Sequence, residues 1–404
     1  MGSPLKHCAL RLGDNALVLG QRLSEWCGHA PALEEDIALA NIALDLIGQT
    51  QLWLGLAGHL EGGEKTADDL AFHREVYDFH NLLLLEQPNR DFGHTMMRQF
   101  LFDAFHFLQL TSLQKSSDQR VCDIATKAVK EVSYHLERSG ETVIALGDGT
   151  EESRFRMQSA LDRLWPFVGE MLSDDEMDHA IADANIGPLP SQLKNEYLKT
   201  IEPILKQATL SPPKVALPRR AVKAARCIVS ISAIYWHKCN ICSVPIRTRV
   251  GNMTACTKHI WSFLDQVPDP EIPAISIVDL GIIRDVAWQN DRLQITITPT
   301  YSGCPATTVI RLEIEKAAHS NGIKNIDIKQ QINPAWTTDW ISERGKKRLQ
   351  SYGIAPPNPS GGPKSCPQCG AVTLERISQF GSTPCKAQWR CRECLEPFDY
   401  FKCL

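Results

Sequence analysis

The sequence predicts a multidomain protein: an all-α antiparallel helical bundle, then a small α+β domain, then a C-terminal zinc ribbon. Three observations predict it. From Leu10 to about Gln207 apolar residues recur at helical spacing, with no alternating stretch among them. Past Met253 alternation appears, as in Leu293, Ile295 and Ile297. Near the end stand two Cys-x-x-Cys pairs, Cys366/Cys369 and Cys391/Cys394, at zinc-ribbon spacing. A chain of 404 residues is long enough for two or three cores. The divisions fall at 1–213 for the bundle, 214–252 for a basic junction, 253–353 for the α+β domain, 354–365 for a Pro/Gly linker and 366–404 for the ribbon.

Within the bundle, Leu33–Leu60 places Ile37, Ala40, Leu44, Ile47 and Leu54 on one stripe. Leu39, Ile42 and Leu46 make a second face apolar, so this helix is buried from several sides. Glu34, Glu35 and Asp36 sit in its first turn, where the helix dipole favours acids. Further helices are expected at Asp68–Leu85, His94–Leu113, Gln119–Leu146, Glu152–Leu172 and Gln192–Gln207, punctuated by the loop EQPNRDFG and the turn GDGT.

A few polar residues interrupt these apolar helices. Asp45 lies inside the second helix, Asp103 and His106 stand at i, i+3, and Glu131 and His135 at i, i+4. Carboxylate-x-x-His pairs of this kind hold two irons in bundle proteins, with a Glu from each of two further helices. Here Asp replaces Glu at two places, and Asp is one methylene too short to bridge well. Glu176 and His179 repeat the spacing, but Ser173-Asp174-Asp175 before them reads as a helix start. The five positions are read mainly as buried polar pairs that bond one another, and no di-iron centre is expected in the bundle.

The junction, Lys214–Asn252, holds eight Lys or Arg, no Asp or Glu, and Cys227, Cys239 and Cys242. One reading is a solvated basic linker. The other is that this stretch is out of frame: a permitted choice of synonymous codons for Arg219–Asn252, read with a two-base offset, gives an amphipathic helical tail and a stop just before Met253. That reading makes the chain two neighbouring genes run together.

After Met253 a short amphipathic helix, Cys256–Val267, leads into the turn DPEIP. Ile282–Trp288 and the segment around Leu293–Ile297 read as a hairpin, Pro305–His319 as a helix and Lys324–Ile332 as a third strand. Cys304 precedes Pro305 at the expected helix start, where the dipole would lower a thiol pKa. It is read either as a functional thiol or as a small buried hydrophobe. Asp269 and Glu271 are candidates for a loop over that thiol, or simply a structural turn. Beyond the linker, the thiolates of Cys366, Cys369, Cys391 and Cys394 suit one tetrahedral Zn²⁺, with an iron–sulfur cluster as the rival occupant. Cys385 and Cys403 are left over as possible extra ligands.

Composition narrows the partners. The chain is 43% hydrophobic and 22% charged with net charge −4, and its ribbon is nearly charge-balanced, so nucleic acid is not expected. No secretory n-region is visible and no uninterrupted apolar run reaches membrane-spanning length, which points to the cytoplasm and to thiols that bind metal rather than form disulfides.

Several motifs resemble known families. LRLGDNALVLGQRLSEWCGHAP, the run ending DLIGQ, and NLLLLEQPN followed by LFDAFH resemble the C-subunit family (PaaC) of the bacterial phenylacetyl-CoA epoxidase, from Leu10 to about Pro213. The resemblance implies a ferritin-like fold and a structural, non-catalytic subunit. Its partners would be the catalytic A subunit, which holds the di-iron centre, and the other subunits of that complex. It also implies a terminal segment, like MQYLQR and a final Trp, that the offset reading restores. DPEIP, SIVDLG and TYSGCPAT resemble the SufT-like family of iron–sulfur cluster maturation, in which the Cys of this motif, here Cys304, is functional. TPTYSGCPAT, NPAWTTDWIS, FGSTPCKA and EPFDYFKC together resemble the epoxidase-operon D family (PaaD), implying an accessory role with a transient iron–sulfur cluster.

Overall fold

The computed structural model describes residues 3–62, 65–213, 257–289, 292–301, 304, 306–359 and 361–402. The basic junction with Cys227, Cys239 and Cys242, and also Ser302, Gly303, Pro305 and Cys403, lie outside the described residues. The N-terminal half is helical: α1 Pro4–Ser24, α2 Leu33–Leu60, α3 Ala67–Phe72, α4 Leu83–Glu86, α5 Phe92–Leu113, α6 Gln119–Gly147, α7 Glu151–Met171, α8 Glu176–Asp183 and α9 Lys194–Gln207. Helix α1 packs along α2, α5 along α6, and α7 against α5. Gly13 and Gly20 let the first pair approach closely, since a Cβ at Gly13 would lie 2.5 Å from Leu54 Cδ2. By length and composition α2 could cross a membrane, although polar residues interrupt its apolar run. Its apolar window is 67% buried within the protein, as the core helix of a bundle is.

The continuous helix expected at Asp68–Leu85 is not formed. Asp14, fully buried on α1, takes the Arg74 guanidinium and the His80 backbone N–H, and Asn15 accepts from the Leu82 N–H. These bonds hold 73–82 against α1 as a loop with a single 3₁₀ turn at Val76–Asp78, because a buried carboxylate must be satisfied before helix propensity counts. Asp14→Ala would take the acceptor from the half-buried Arg74 and from the His80 N–H, and we expect it to lower the bundle's stability by about 1–3 kcal/mol in urea titration. Glu176 does open a helix, α8, whose capping box joins Asp175 and Asp178.

The C-terminal half begins with α10 Thr257–Leu264. Strands β1 Ile283–Gln289 and β2 Arg292–Ile297 form the expected hairpin, α11 spans Ala306–Ser320, and β3 Ile326–Gln330 pairs parallel to β2. Helix α12, Glu343–Ser351, has no counterpart among the expected elements. Its N-cap Ser342 and its Arg344 and Arg348 all bond the buried carboxylate of Asp279. Gly281, at φ +75° against Trp340, permits that close approach.

The ribbon sheet runs β4–β7–β6–β5, with β4 Ile354–Ala355, β5 Leu374–Ser378, β6 Lys386–Cys391 and β7 Pro397–Phe401. Its fourth strand, β4, comes from the Pro/Gly segment read as a linker. Ile354, Cys385 and Phe401 belong to the core of the α+β domain, so ribbon and domain share apolar interior. The ribbon also meets the bundle. Phe380 is 2% exposed within the bundle core, Asn41 on α2 donates to Gly381 O at 3.2 Å, and Arg376 pairs with Glu137 and Glu141 on α6. Lys402 lies 4.4 Å over the Tyr134 ring and 4.2 Å over the Phe380 ring.

Candidate thiol and metal sites

The ribbon quartet is built by two turns that bring Cys366/Cys369 opposite Cys391/Cys394. All four Sγ atoms lie within 4.8 Å of one another, the only such set of three or more His, Cys, Asp or Glu ligand atoms among the described residues. Cys366–Cys394 is 3.8 Å and Cys369–Cys391 is 3.6 Å. Four sulfurs about 2.3 Å from a tetrahedral ion stand about 3.8 Å apart, so the quartet fits one tetrahedral ion. Backbone N–H groups of Gln368 and Glu393 donate to Cys366 and Cys391 sulfurs at 3.4 Å, which stabilises thiolates. Bound there, zinc would supply a covalent staple for the small apolar cluster of Ala355, Ala387, Phe398 and Tyr400.

Cys304 sits just before α11 and lines a narrow cavity with Asp269, Glu271, Thr300, Thr307 and Cys385. Asp269 accepts the Glu271 and Ile272 N–H groups at 3.0 and 2.9 Å, which forms the DPEIP turn, and Tyr301 OH donates to Glu271 at 3.3 Å. The expected low pKa of Cys304 is not what the cavity produces. Burial, together with the Glu271 and Asp269 carboxylates, pushes the thiol up to about 12 against the pull of the Ala306 N–H at the helix start. Cys385 stands in this cavity and not in the ribbon quartet. Burial and Glu271 push its thiol up to about 12 as well.

The five ligand-type positions of the bundle share its interior and engage neighbours. His135 Nε2 is 3.0 Å from Asp45 Oδ2, Gln49 donates to Glu131 at 3.1 Å, and Asp103 accepts from Gln99 at 2.6 Å and Ser139 at 2.8 Å. His106 stacks near Phe102 at 4.9 Å between ring centroids. Two buried lysines beside this network are not among the residues that the sequence singles out. Lys127, which its i, i+4 spacing to Glu131 could have flagged, feels Glu131, Cys304 and Asp45. Lys402 feels Asp45 and Cys385, and nothing in the sequence signals it.

Burial raises Asp45 and Asp103 to about 7, lowers His106 to about 3, and lowers His135. Between about pH 4 and 6 the folded His106 is therefore neutral and the unfolded imidazole protonated, so this residue makes stability rise with pH by about 1.4 kcal/mol per unit in that window. His106→Gln removes one imidazole proton from the unfolded side only. Its loss should make the pH slope of stability more negative than that of the unsubstituted protein by about 1.4 kcal/mol per pH unit between about pH 4.5 and 6. Urea midpoints at those two pH values read this out.

Comparison with known proteins agrees with this layout. The family model of the phenylacetic acid catabolic protein matches residues 2–223, that of the iron–sulfur cluster assembly protein 257–328, and that of the PaaD zinc beta ribbon domain 360–402. The C subunit of the 1,2-phenylacetyl-CoA epoxidase of Escherichia coli (strain K12) is 46% identical over 51% of this chain and 82% of its own length. A second protein of that organism, named as the D subunit of the same epoxidase, is 47% identical over 36% of this chain and 92% of its own. The Fe-S protein maturation auxiliary factor YitW of Bacillus subtilis (strain 168) is 38% identical over 24% of this chain and 94% of its own. A solved structure, the domain of unknown function DUF59 from Bacillus anthracis, is 32% identical over 23% of this chain and 89% of that one, with a TM-score of 0.22. The chain belongs to the phenylacetic acid catabolic protein family, as a C-subunit-type bundle fused to a D-type module of assembly domain and zinc ribbon.

Proposed function

We propose that the bundle is a non-catalytic subunit of the multicomponent phenylacetyl-CoA 1,2-epoxidase, docked in the cytoplasm on its catalytic A subunit and the other subunits. The fused module serves the same complex by loading iron–sulfur or other metal centres, with the metal as cargo. Residues 1–213, 253–353 and 366–404 act as the three functional units, and the ribbon holds one structural zinc. The observation that carries this reading is the Cys304 cavity, which sets a thiol beside two carboxylates in a chain whose bundle donors engage their neighbours. The similarity to a D-type protein and to a maturation factor supports it. The junction is part of the proposal: the nucleotide sequence across 214–252 should reveal one miscalled base and two frames.

The test is Cys304→Ser in a strain that lacks the module and carries all other subunits. Phenylacetate-dependent growth should drop to the level of the strain without the module, while zinc content stays at one per chain. Normal growth would leave an interaction module without cluster chemistry as the better account. A second reading, a di-iron oxygenase in the bundle itself, draws on Asp45 Oδ1, His106 Nδ1 and His135 Nδ1, which are buried without a hydrogen-bond partner. Reconstitution with ferrous iron separates the two. We expect no iron bound by the bundle; two irons per chain, lost in Asp103→Ala or His106→Ala, would favour the second reading.

A further inference from the structure

The proposed function does not absorb the loop EQPNRDFG, Glu86–Gly93, whose sequence marks it only as punctuation between helices. In the structure this loop and helix α7 wall an open cavity of about 630 Å³, a size that admits a small-molecule ligand. Its polar lining is basic: Arg90 from the loop, His94 from the first turn of α5 and Arg163 from α7. Arg90 and Arg163 are exposed, and neither guanidinium has a hydrogen bond or ion pair among the described residues. Two buried groups back the cavity. The His94 ring is 7% exposed; its Nδ1 lies 2.9 Å from Asp91 Oδ1, and its Nε2 is buried with no hydrogen-bond partner. Arg98, 1% exposed, donates to Gln87 O at 2.5 Å and to Asn89 Oδ1 at 2.7 Å, so its charge stands directly behind the loop wall. Both acceptors are neutral, and no carboxylate among the described residues pairs with Arg98. The carboxylates nearby are engaged elsewhere: Asp91 with His94, and Glu25 with Arg22 and Asn89.

We propose that this cavity is a phosphate-binding site, in which the unpaired guanidinium forks of Arg90 and Arg163 take one phosphate or diphosphate group beside His94. A guanidinium matches two phosphate oxygens at once, and two such forks facing one cavity suit a group with three or more charged oxygens better than a single carboxylate. Arg98 does not touch the ligand. Its buried charge lacks a counter-ion, and an anion in front of the loop would supply one in a medium that screens less than water. The volume leaves room for the remainder of a phosphate ester. The site lies on the bundle and uses no residue of the fused module, so it stands whether or not Cys304 carries cargo. Such a group has two sources: a free phosphate anion, or the nucleotide end of the CoA thioester that the proposed function makes the substrate of the complex.

Inorganic phosphate and coenzyme A are the probes, in separate calorimetric titrations of the full-length chain. Each should bind at one site per chain. Arg90→Gln and Arg163→Gln, both at exposed positions and checked by circular dichroism, should each weaken binding about tenfold or more. Arg154→Gln removes the same charge from the same helix outside the cavity, and it should change affinity by less than about twofold. Tighter binding of coenzyme A than of phosphate assigns the site to the substrate's nucleotide end, and binding no tighter assigns it to a free anion. The phosphate site falls if neither probe binds saturably, if both cavity variants bind as the unsubstituted chain does, or if Arg154→Gln weakens binding as much as they do. Phenylacetate-dependent growth of the Cys304→Ser strain tests the proposed function and is unaffected by any of these outcomes.

Discussion

Stripping the ribbon's metal is expected to melt the four-stranded sheet and release the C-terminal module from the bundle, leaving the bundle helical. The ribbon's own apolar cluster is a handful of side chains, too few to offset the ordering of some forty residues. A structural zinc contributes about 10–16 kcal/mol in domains of this kind, so the sheet has no folded alternative once the metal is gone. Phe401 and Phe380 carry the loss outward, because one sits in the α+β core and the other in the bundle core. The bundle, with its own extensive interior, keeps its helices. Far-UV circular dichroism should lose strand signal and keep helix, and trypsin should cut at Arg376, Lys386 and Arg390. Cys366→Ser or Cys394→Ser should act likewise. A tail that stays protease-resistant after verified metal loss would show that the quartet is not structural.

Phe380→Asp is expected to detach the module with its metal still bound. Truncating a buried phenylalanine costs about 3–5 kcal/mol, and placing a carboxylate in the vacated pocket costs more. The Asn41 bond, the Lys402–Tyr134 stacking and the buried pairs of Lys402 with Asp45 and Lys127 with Cys304 remain, while the Arg376 pairs with Glu137 and Glu141 are solvent-exposed and contribute little. With a protease site placed in 214–252, the cleaved wild-type halves should co-elute on gel filtration and the cleaved variant halves should separate. Hydrogen exchange on α2 and α6 should rise only in the variant. Co-elution of the variant halves would move the anchor elsewhere.

The long helices are legible because each carries a strong helical period over many turns, and the ribbon ligands because four thiolates at fixed spacing have few other uses. Asp68–Leu85 misleads because its local pattern is helical while its fate is set from α1, where Asp14 and Asn15 compete for its backbone. Strand β4 is two residues long, and only its pairing to β7 defines it. The Cys304 motif places the thiol correctly near a helix start. Its ionisation is not legible there, because the carboxylates that oppose it come from the DPEIP turn some thirty residues earlier. Cys385 and Lys402 carry no periodic or spacing signal at all: their roles arise where three cores meet.

That meeting point fixes an order of events. Phe380 and Lys402, which seat the module on the bundle, lie on either side of the metal-ligating turn that holds Cys391 and Cys394. Neither can be presented until that turn is closed by its ion. The bundle has its own core and folds without that ion, so it stands with an uncovered apolar socket for Phe380 until the metal arrives. In zinc-starved cells the chain should therefore accumulate as a half-assembled species that engages chaperones, and the local zinc supply becomes the clock for its maturation.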